Sequence, residues 1–179
     1  RATYQRRMVF NTMRRWYVAR TQIRAEEKAY FNLKRQGFTV FLPKYMKTRR
    51  HARKVDQVIY PLFPGYLFVE VDTDLQQWRM IRSTIGVSQL ISFGDMPSPM
   101  PHGVVEEILE REDDRGVVAL SAESVLRKGQ KIEIVDGPLS EQLGLFDCID
   151  GNERVTILLN LLGREVRVGV SRMQIKPAA

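Results

Sequence analysis

A strict alternation of polar and apolar residues near the C-terminus constrains the fold of this chain more than any other feature. Residues 131–134 and 165–168 alternate with a period of two, which is typical of strands with one buried face. Four or five short strands in so few residues can bury a core only by closing on themselves, so residues 127–176 are predicted to form a small barrel. A small barrel without a catalytic constellation favours recognition over chemistry. Turn formers separate the strands at residues 136–138, 150–152 and 162–164.

Positive charge is concentrated in the first third of the chain. The net charge of the 179 residues is +7, but residues 1–60 carry 16 lysines and arginines against 3 acidic residues. Residues 61–126 carry 4 against 11, and residues 127–179 carry 8 against 7. A basic segment of this kind predicts contact with a polyanion, although a solvated basic face that keeps the protein soluble has the same composition.

What the sequence lacks argues against several function classes. Its two histidines, His51 and His102, have no partners at metal-ligand spacing, and no glycine-rich phosphate loop or nucleophile motif occurs. The chain is therefore predicted not to be an enzyme and to need no metal or cofactor. The single cysteine, Cys148, allows no intramolecular disulfide and fits a reducing, cytoplasmic compartment. No apolar run reaches the length of a membrane span, and the basic residues 1–13 are expected to form a flexible arm.

The order of the elements predicted over residues 14–111 indicates an α+β domain with helices packed on an antiparallel sheet. The basic excursion at residues 44–54 is predicted to be a mobile hairpin, and residues 112–126 are predicted to link this domain to the barrel. Strands are predicted at residues 16–20, 38–42, 62–71 and 87–93, and helices at residues 24–36, 74–83 and 102–111.

Four motifs in the first domain resemble the N-terminal domain of the NusG family. They are RWYV at residues 15–18, LKRQG at 33–37, LFPGYLFV at 62–69 and IRSTIGV at 81–87. Residues 127–153, with Gly137 at the eleventh position of the motif, resemble a KOW domain, whose fold is a small SH3-like β-barrel. Because the motif blocks occur in order over residues 14–176, the resemblance as a whole is more specific than a match to any single motif. The details that look closer to specialised RfaH-like members are Phe93-Gly94, the proline loop at 97–101 and LLNLL at 158–162.

The resemblance implies a monomeric protein that travels with RNA polymerase. The first domain of such proteins docks on the clamp helices of the largest polymerase subunit and suppresses pausing and termination. Their KOW domain contacts a small-subunit ribosomal protein or the termination factor Rho. Tyr66 and Phe68, which alternate on one strand, match the family's clamp-contacting aromatics, although core packing is the ordinary role of such residues. For each of four further candidates, the sequence favours a place in the core and a place in the polymerase interface equally. These candidates are Phe63, Phe93, Val105 and Ile108.

The resemblance also implies contact with the non-template DNA strand in the transcription bubble. Arg24, Lys28 and Arg35 share one side of the first predicted helix, where they can contact phosphates. Single-stranded bases can stack on aromatic or arginine side chains. A solvated helix face is the alternative. The candidate DNA-binding residues are Arg20, Arg24, Lys28, Arg35, Trp78, Arg79 and Arg82.

Three departures from the RfaH-like pattern limit which properties of RfaH can be expected of this chain. Residues 77–80 read QWRM where RfaH carries a His-Thr-Thr-Thr run, and Ile85 replaces a basic residue used for a specific DNA element. Tyr60 stands where a glutamate helps RfaH to hold its C-terminal domain as a helical hairpin. The barrel is therefore predicted to stay β in the full chain, although the apolar run at residues 155–162 fits either a strand or a buried helix.

Two other function classes compete with a transcription factor. A ribosome-associated RNA-binding protein is the first alternative, because KOW barrels also occur in ribosomal proteins that bind RNA. That alternative leaves the first domain unexplained. A nucleic-acid-processing enzyme whose catalytic motif escapes recognition is the second.

Overall fold

The computed structural model describes residues 13–74, 77–120, 132–133, 151, 154–155, 158–159, 162 and 174–175. The strands in chain order are β1 (Arg15–Thr21), β2 (Thr39–Phe41), β3 (Lys44–His51), β4 (Lys54–Pro61), β5 (Tyr66–Val71), β6 (Val87–Leu90), β7 (Ser92–Phe93), β8 (Met96–Pro97), β9 (Ile132–Glu133) and β10 (Gln174–Ile175). The helices are α1 (Glu26–Arg35) and α2 (Val104–Glu110), together with a 3-10 helix (Trp78–Ser83).

A four-stranded antiparallel sheet in the order β2-β5-β1-β6 forms the centre of the first domain. Successive side chains of a strand point to opposite faces. On β1, Trp16 and Val18 accordingly enter one buried cluster, whereas Tyr17 and Ala19 enter a second one. We call the face with Trp16, Val18 and Phe68 the α2 face, and the opposite face the α1 face, after the helix packed on each. The predicted α+β domain with an antiparallel sheet is thus confirmed.

α1 covers its face of the sheet through Ala29 and Leu33, which are both fully buried. Two glutamates in its first turn and two basic residues in its last turn complement the helix dipole. Gly37, with φ 89°, follows the helix in the left-handed conformation that commonly ends helices. The helix predicted at residues 24–36 is confirmed, with each boundary shifted by one or two residues.

The helix predicted at residues 74–83 is shorter in the structure. It is a 3-10 helix that begins only at Trp78. Asp74 does not cap it, because its amide donates to Asp72 Oδ1 at 3.0 Å and so belongs to a separate turn. Residues 75–76 lie outside the described residues.

The strand predicted at residues 87–93 is divided in two. β6 stays in the sheet beside β1, whereas β7 turns away and pairs with β8. The chain then returns along β1 through the loop around Pro99, which bridges to Tyr17. This division places Phe93 in the exposed β7–β8 hairpin instead of inside the four-stranded sheet.

α2 and the residues that follow it close one end of the α2 face. Val104, Val105 and Ile108 are buried there. The sequence predicts a linker at residues 112–126, but the start of this segment packs on the first domain, because Val118 is buried and its amide donates to Lys44 O at 2.7 Å. Residues 121–126 lie outside the described residues.

β3 and β4 form a two-stranded hairpin that continues from Lys44 opposite Pro61 to His51 opposite Lys54. The hairpin predicted at residues 44–54 is confirmed, and it extends further along the chain than predicted. Its base adjoins the α2 face, because Tyr45 packs against the cluster of that face.

The described residues of the C-terminal region differ from the predicted barrel. Gly151, Arg154, Val155, Leu158 and Leu159 are helical, where the sequence predicted a turn at residues 150–152 followed by β-structure. Together with Leu162 they follow one another at alternating intervals of three residues and one residue, so that members three or four positions apart lie on one helix face. We call these six residues the C-terminal helical segment. The predicted β-structure is wrong for the helical residues, because burial of an apolar run can favour a helix as readily as a strand, whereas Leu162 lies in a turn as predicted.

Other parts of the C-terminal prediction are only partly described. β9 pairs antiparallel with β10, which agrees with a strand in the alternating run at residues 131–134. Gly137, predicted at the KOW turn, and Cys148 lie outside the described residues. None of the helices in the described part of the chain has the length and apolar composition needed to span a bilayer.

Candidate functional site

The α2 face carries a cluster of aromatic side chains near the turn that precedes β5. Phe41 stacks on Phe68 with the ring centroids 6.2 Å apart, and Phe63 meets Phe68 edge to face at 5.6 Å. Offset and edge-to-face pairs of this kind add to the stabilisation that comes from burial. Phe68 is only 1% exposed, so it is a packed residue in this structure.

The structure brings most of the predicted polymerase-binding residues together on this face. Phe63, Phe68, Val105 and Ile108 all belong to its buried cluster, and the half-buried Tyr66 packs against them. Phe93 is the exception. It is 85% exposed at the end of β7, where it pairs with the exposed Met96 of β8.

The C-terminal helical segment covers part of this cluster. Leu158 and Leu159 are buried members of it, and Val155 and Leu162 pack against it. These leucines are at least 68 residues away in sequence from the strands of the four-stranded sheet, counted from Leu90 to Leu158. Part of the apolar α2 face is therefore covered by a distant part of the chain and not by its own domain.

Arg154 fixes the position of the segment. Its side chain is 2% exposed, and its Nε donates to the carbonyl oxygen of Leu62 at 3.0 Å. Its guanidinium also lies over the ring of Tyr45, 4.4 Å from the centroid, in cation–π geometry. A buried charge is costly unless it is bonded, so these interactions favour one docked arrangement.

The turn before β5 contacts the segment closely at Gly151. A Cβ atom added to Gly151 would lie 2.8 Å from Cγ of Pro64, nearer than side chains approach one another. Sequence reasoning missed both Gly151 and Arg154 as contact residues. The signal was the spacing of Gly151, Arg154, Val155 and Leu158 on one helix face.

The basic residues predicted to contact DNA are at the surface. Lys28 and Arg35 occupy the exposed side of α1, and Arg20 and Arg24 are exposed on the chain that leads into it. Arg24 has φ 55°, a left-handed conformation directly before the helix. Arg35 Nη2 donates to Asn32 Oδ1 at 3.2 Å, which leaves its other donors available.

A direct DNA contact by Trp78, as predicted, does not fit the structure. Its indole is 4% exposed, because it packs beneath the sheet with Ile81 in the cluster of the α1 face. The exposed guanidinium groups of Arg79 and Arg82 lie 4.7 Å and 5.7 Å from its ring centroid. Arg82 also donates to Ser92 Oγ at 2.8 Å. Trp78 therefore supports two surface arginines, and a base has no access to its ring.

The fold and the site define a class of protein: an α+β domain with one apolar sheet face covered by a C-terminal segment and with an exposed basic helix on the opposite face. A family model described as "Transcription termination factor nusG" matches residues 14–109. The chain belongs to the NusG family.

Individual relatives extend the similarity beyond the first domain. The chain is 28% identical over 180 residues to the transcription termination/antitermination protein NusG of Thermus thermophilus, covering 91% of this chain and 98% of that protein. The protein of the same name from Staphylococcus epidermidis is 28% identical over 176 residues, covering 91% and 95%. A solved structure described as "Domain interaction in Thermotoga maritima NusG" is 23% identical with a TM-score of 0.38, covering 70% of this chain and 74% of that chain.

Proposed function

We propose that this protein is a transcription elongation and antitermination factor that binds RNA polymerase through the α2 face. Membership of the NusG family supports this proposal, as do the names of its relatives. In this proposal the first domain docks on the clamp helices of the largest polymerase subunit. A clamp held in this way resists opening, so pausing and termination are suppressed.

The observation that carries the proposal is the covering of the aromatic cluster by the C-terminal helical segment. Apolar surface that would lie open without a distant segment is characteristic of a protein interface. Tyr66, Phe63 and Phe68 supply aromatic rings, which are frequent hot spots of binding energy. Val105 and Ile108 would widen the interface, and the exposed Phe93 would touch polymerase at a separate point.

The docked segment occupies the surface that polymerase would need. We therefore propose that the described arrangement is a closed state, and that release of the segment precedes polymerase binding. An RfaH-like subtype of the family is supported by the same arrangement, because such a switch needs helices paired against the Tyr66 and Phe68 face. The released C-terminal region would then contact a small-subunit ribosomal protein or Rho through its KOW domain.

The exposed basic surface supports a second interaction within the same complex. We propose that Arg20, Arg24, Lys28 and Arg35 bind phosphates of the non-template strand, and that the exposed Arg79 and Arg82 add further phosphate contacts. The protein would act as a monomer in the cytoplasm and perform no catalysis of its own.

The experiment that tests the proposal compares two half-buried tyrosines. Tyr66→Ala should weaken binding to core RNA polymerase by about 2 kcal/mol, roughly 30-fold, if its ring joins the interface. Tyr30→Ala is the matched control, because Tyr30 packs against the cluster of the opposite face and should leave the affinity unchanged. Equal affinities in the two variants would contradict the assignment of the surface. Co-sedimentation with small ribosomal subunits at high salt, without polymerase binding, would favour the ribosome-associated alternative.

A further inference from the structure

The β3–β4 hairpin has an outer half that contributes nothing to the core. Each of its strands has eight residues, which corresponds to a ribbon about 25 Å long. All residues from 47 to 57 are exposed, so the ribbon extends away from the domain and both of its faces meet solvent. A long, exposed two-stranded ribbon is only marginally stable by itself and leaves its strand edges unpaired, so its presence favours a binding partner.

The charge of this outer half is almost entirely positive. It holds five lysines and arginines, whereas Asp56 is its only acidic residue. Arg49 neutralises that acid across the hairpin, with its Nη2 2.7 Å from Asp56 Oδ2. This hydrogen bond lowers the pKa of Asp56, so the pair stays ionised. The cations of the ribbon without an acidic partner among the described residues are Lys47, Arg50, Arg53 and Lys54.

The tip of the hairpin carries one of these cations on a strained backbone. Ala52 and Arg53 form a two-residue turn and both have positive φ, 46° and 67°. Such turns favour Asn-Gly, because most other side chains crowd the backbone in the left-handed region. Arg53 therefore occupies a position where glycine would fit better, and it places a guanidinium at the furthest point of the ribbon. Strained backbone conformations cluster at functional sites, so the strain at this exposed tip indicates a binding role.

We propose that the outer half of the β3–β4 hairpin, residues 47–57, binds the phosphate backbone of duplex DNA without sequence preference. Three features of the ribbon favour this partner. A two-stranded ribbon fits the major groove of B-form DNA, so cations on both edges of the ribbon can meet the phosphates on either side. The major groove of A-form RNA is too narrow for it. Proteins that bind single strands offer aromatic platforms, and no Phe, Tyr or Trp lies between Met46 and Ile59.

This binding surface is separate from the one proposed for single-stranded DNA on α1, and it requires no polymerase. It adds a contact with the double-stranded DNA next to the transcription bubble to the proposed function. Because the interaction is electrostatic, its affinity must fall steeply as the salt concentration rises.

The test measures binding of the full chain to a blunt duplex DNA of about 20 base pairs by fluorescence anisotropy, from about 50 to about 200 mM salt. The test variant combines Arg50→Gln, Arg53→Gly and Lys54→Gln. Removal of each cation that neutralises a phosphate should reduce the log–log salt slope by about 0.9, so the slope should fall by about 2 to 3. The matched control, with the same net charge, combines Arg14→Gln, Lys34→Gln and Arg115→Gln at exposed positions outside the hairpin.

A second variant keeps the hairpin intact while it removes one cation. Ala52→Asn with Arg53→Gly installs the turn sequence that the backbone prefers, so the hairpin should persist and the salt slope should fall by about one. An unchanged slope in both variants would overturn the proposal, as would an equally reduced slope in the control. If the hairpin variants lost more affinity for single-stranded DNA or duplex RNA of the same length than for duplex DNA, the choice of duplex DNA would be overturned. Binding of these variants to polymerase without DNA should stay unchanged, which separates this proposal from the proposed function.

Discussion

Replacing Leu158 with alanine tests how firmly the C-terminal helical segment is held on the first domain. Leu158 is fully buried in the cluster that it shares with Phe63 and Phe68. Truncation of a buried leucine costs about 2–5 kcal/mol, and the lower half of that range applies where the surroundings can relax. If the segment leaves without unfolding the sheet, as the proposed closed state requires, the destabilisation should fall on the docked state alone. A cost of about 2.7 kcal/mol lowers the docking equilibrium constant about 100-fold.

Carbon chemical shifts and amide hydrogen exchange of the full-length protein measure this change. In the unsubstituted protein, Arg154, Val155, Leu158 and Leu159 should show helical shifts and protected amides. In the Leu158→Ala variant the amide protection should fall by about two orders of magnitude. Val155→Ala is the graded control, because Val155 is only half-buried and its truncation should cost less.

Two results would refute this reasoning. Unchanged protection in the Leu158→Ala variant would mean that the leucine adds little to docking. An equal fall in protection in the central strand β1 would mean that the segment and the sheet unfold together, so that release of the segment could not regulate access to the α2 face.

Three further predictions concern the first domain. Phe68→Ala should destabilise it by about 3–5 kcal/mol in urea unfolding, because the ring is buried between Phe41 and Phe63, and a well-folded variant would place the ring at the surface. Gly86→Ala should cost roughly 2–3 kcal/mol, because φ is 98° and the new Cβ would lie 2.7 Å from the Ala29 backbone nitrogen; an unchanged urea midpoint would refute this. Substituting the basic side of α1 should weaken binding to bubble-containing complexes more than to polymerase alone, with a salt slope smaller by about one unit for each phosphate that is no longer neutralised, and an unchanged slope would count against these residues. The substitutions are Arg24→Ala, Lys28→Ala and Arg35→Ala.

The elements of the first domain could be predicted because their patterns are local. The helical spacing of Ala29 and Leu33, with Gly37 after them, predicts α1 from one stretch of sequence. The apolar strand with Tyr66 and Phe68 is equally local, and the structure contains it as β5. Such elements form wherever their own periodicity agrees with the fold.

The C-terminal helical segment could not be predicted in this way. Its apolar run fits both a strand and a buried helix, and the choice depends on packing against a distant domain. Leu158 is buried in a cluster that belongs mostly to the first domain, and Arg154 contacts Leu62 and Tyr45 of that domain. None of these partners lies near the segment in sequence.

The sequence predicted which residues belong to the candidate site better than it predicted which of them are buried. Sequence reasoning brought Tyr66 and Phe68 to one face, but it could not show that Phe68 is packed in the closed arrangement. It also assigned a DNA contact to Trp78, whose ring is buried beneath Arg79 and Arg82. Aromatic residues have the same local pattern whether they serve a core or an interface, so only the fold separates the two.

A reversible disulfide between the C-terminal helical segment and the first domain tests the central claim most directly. Pro64→Cys and Gly151→Cys, in a Cys148→Ser background, would place two thiols where the Cβ of Gly151 would approach Pro64 within bonding reach. The measurement is the affinity of the full chain for core RNA polymerase before and after reduction, with the two single-cysteine variants as controls. The account predicts that the oxidised protein does not bind and that reduction restores the affinity of the controls. Equal binding by the oxidised and reduced forms would contradict the claim that the C-terminal helical segment covers the polymerase-binding face.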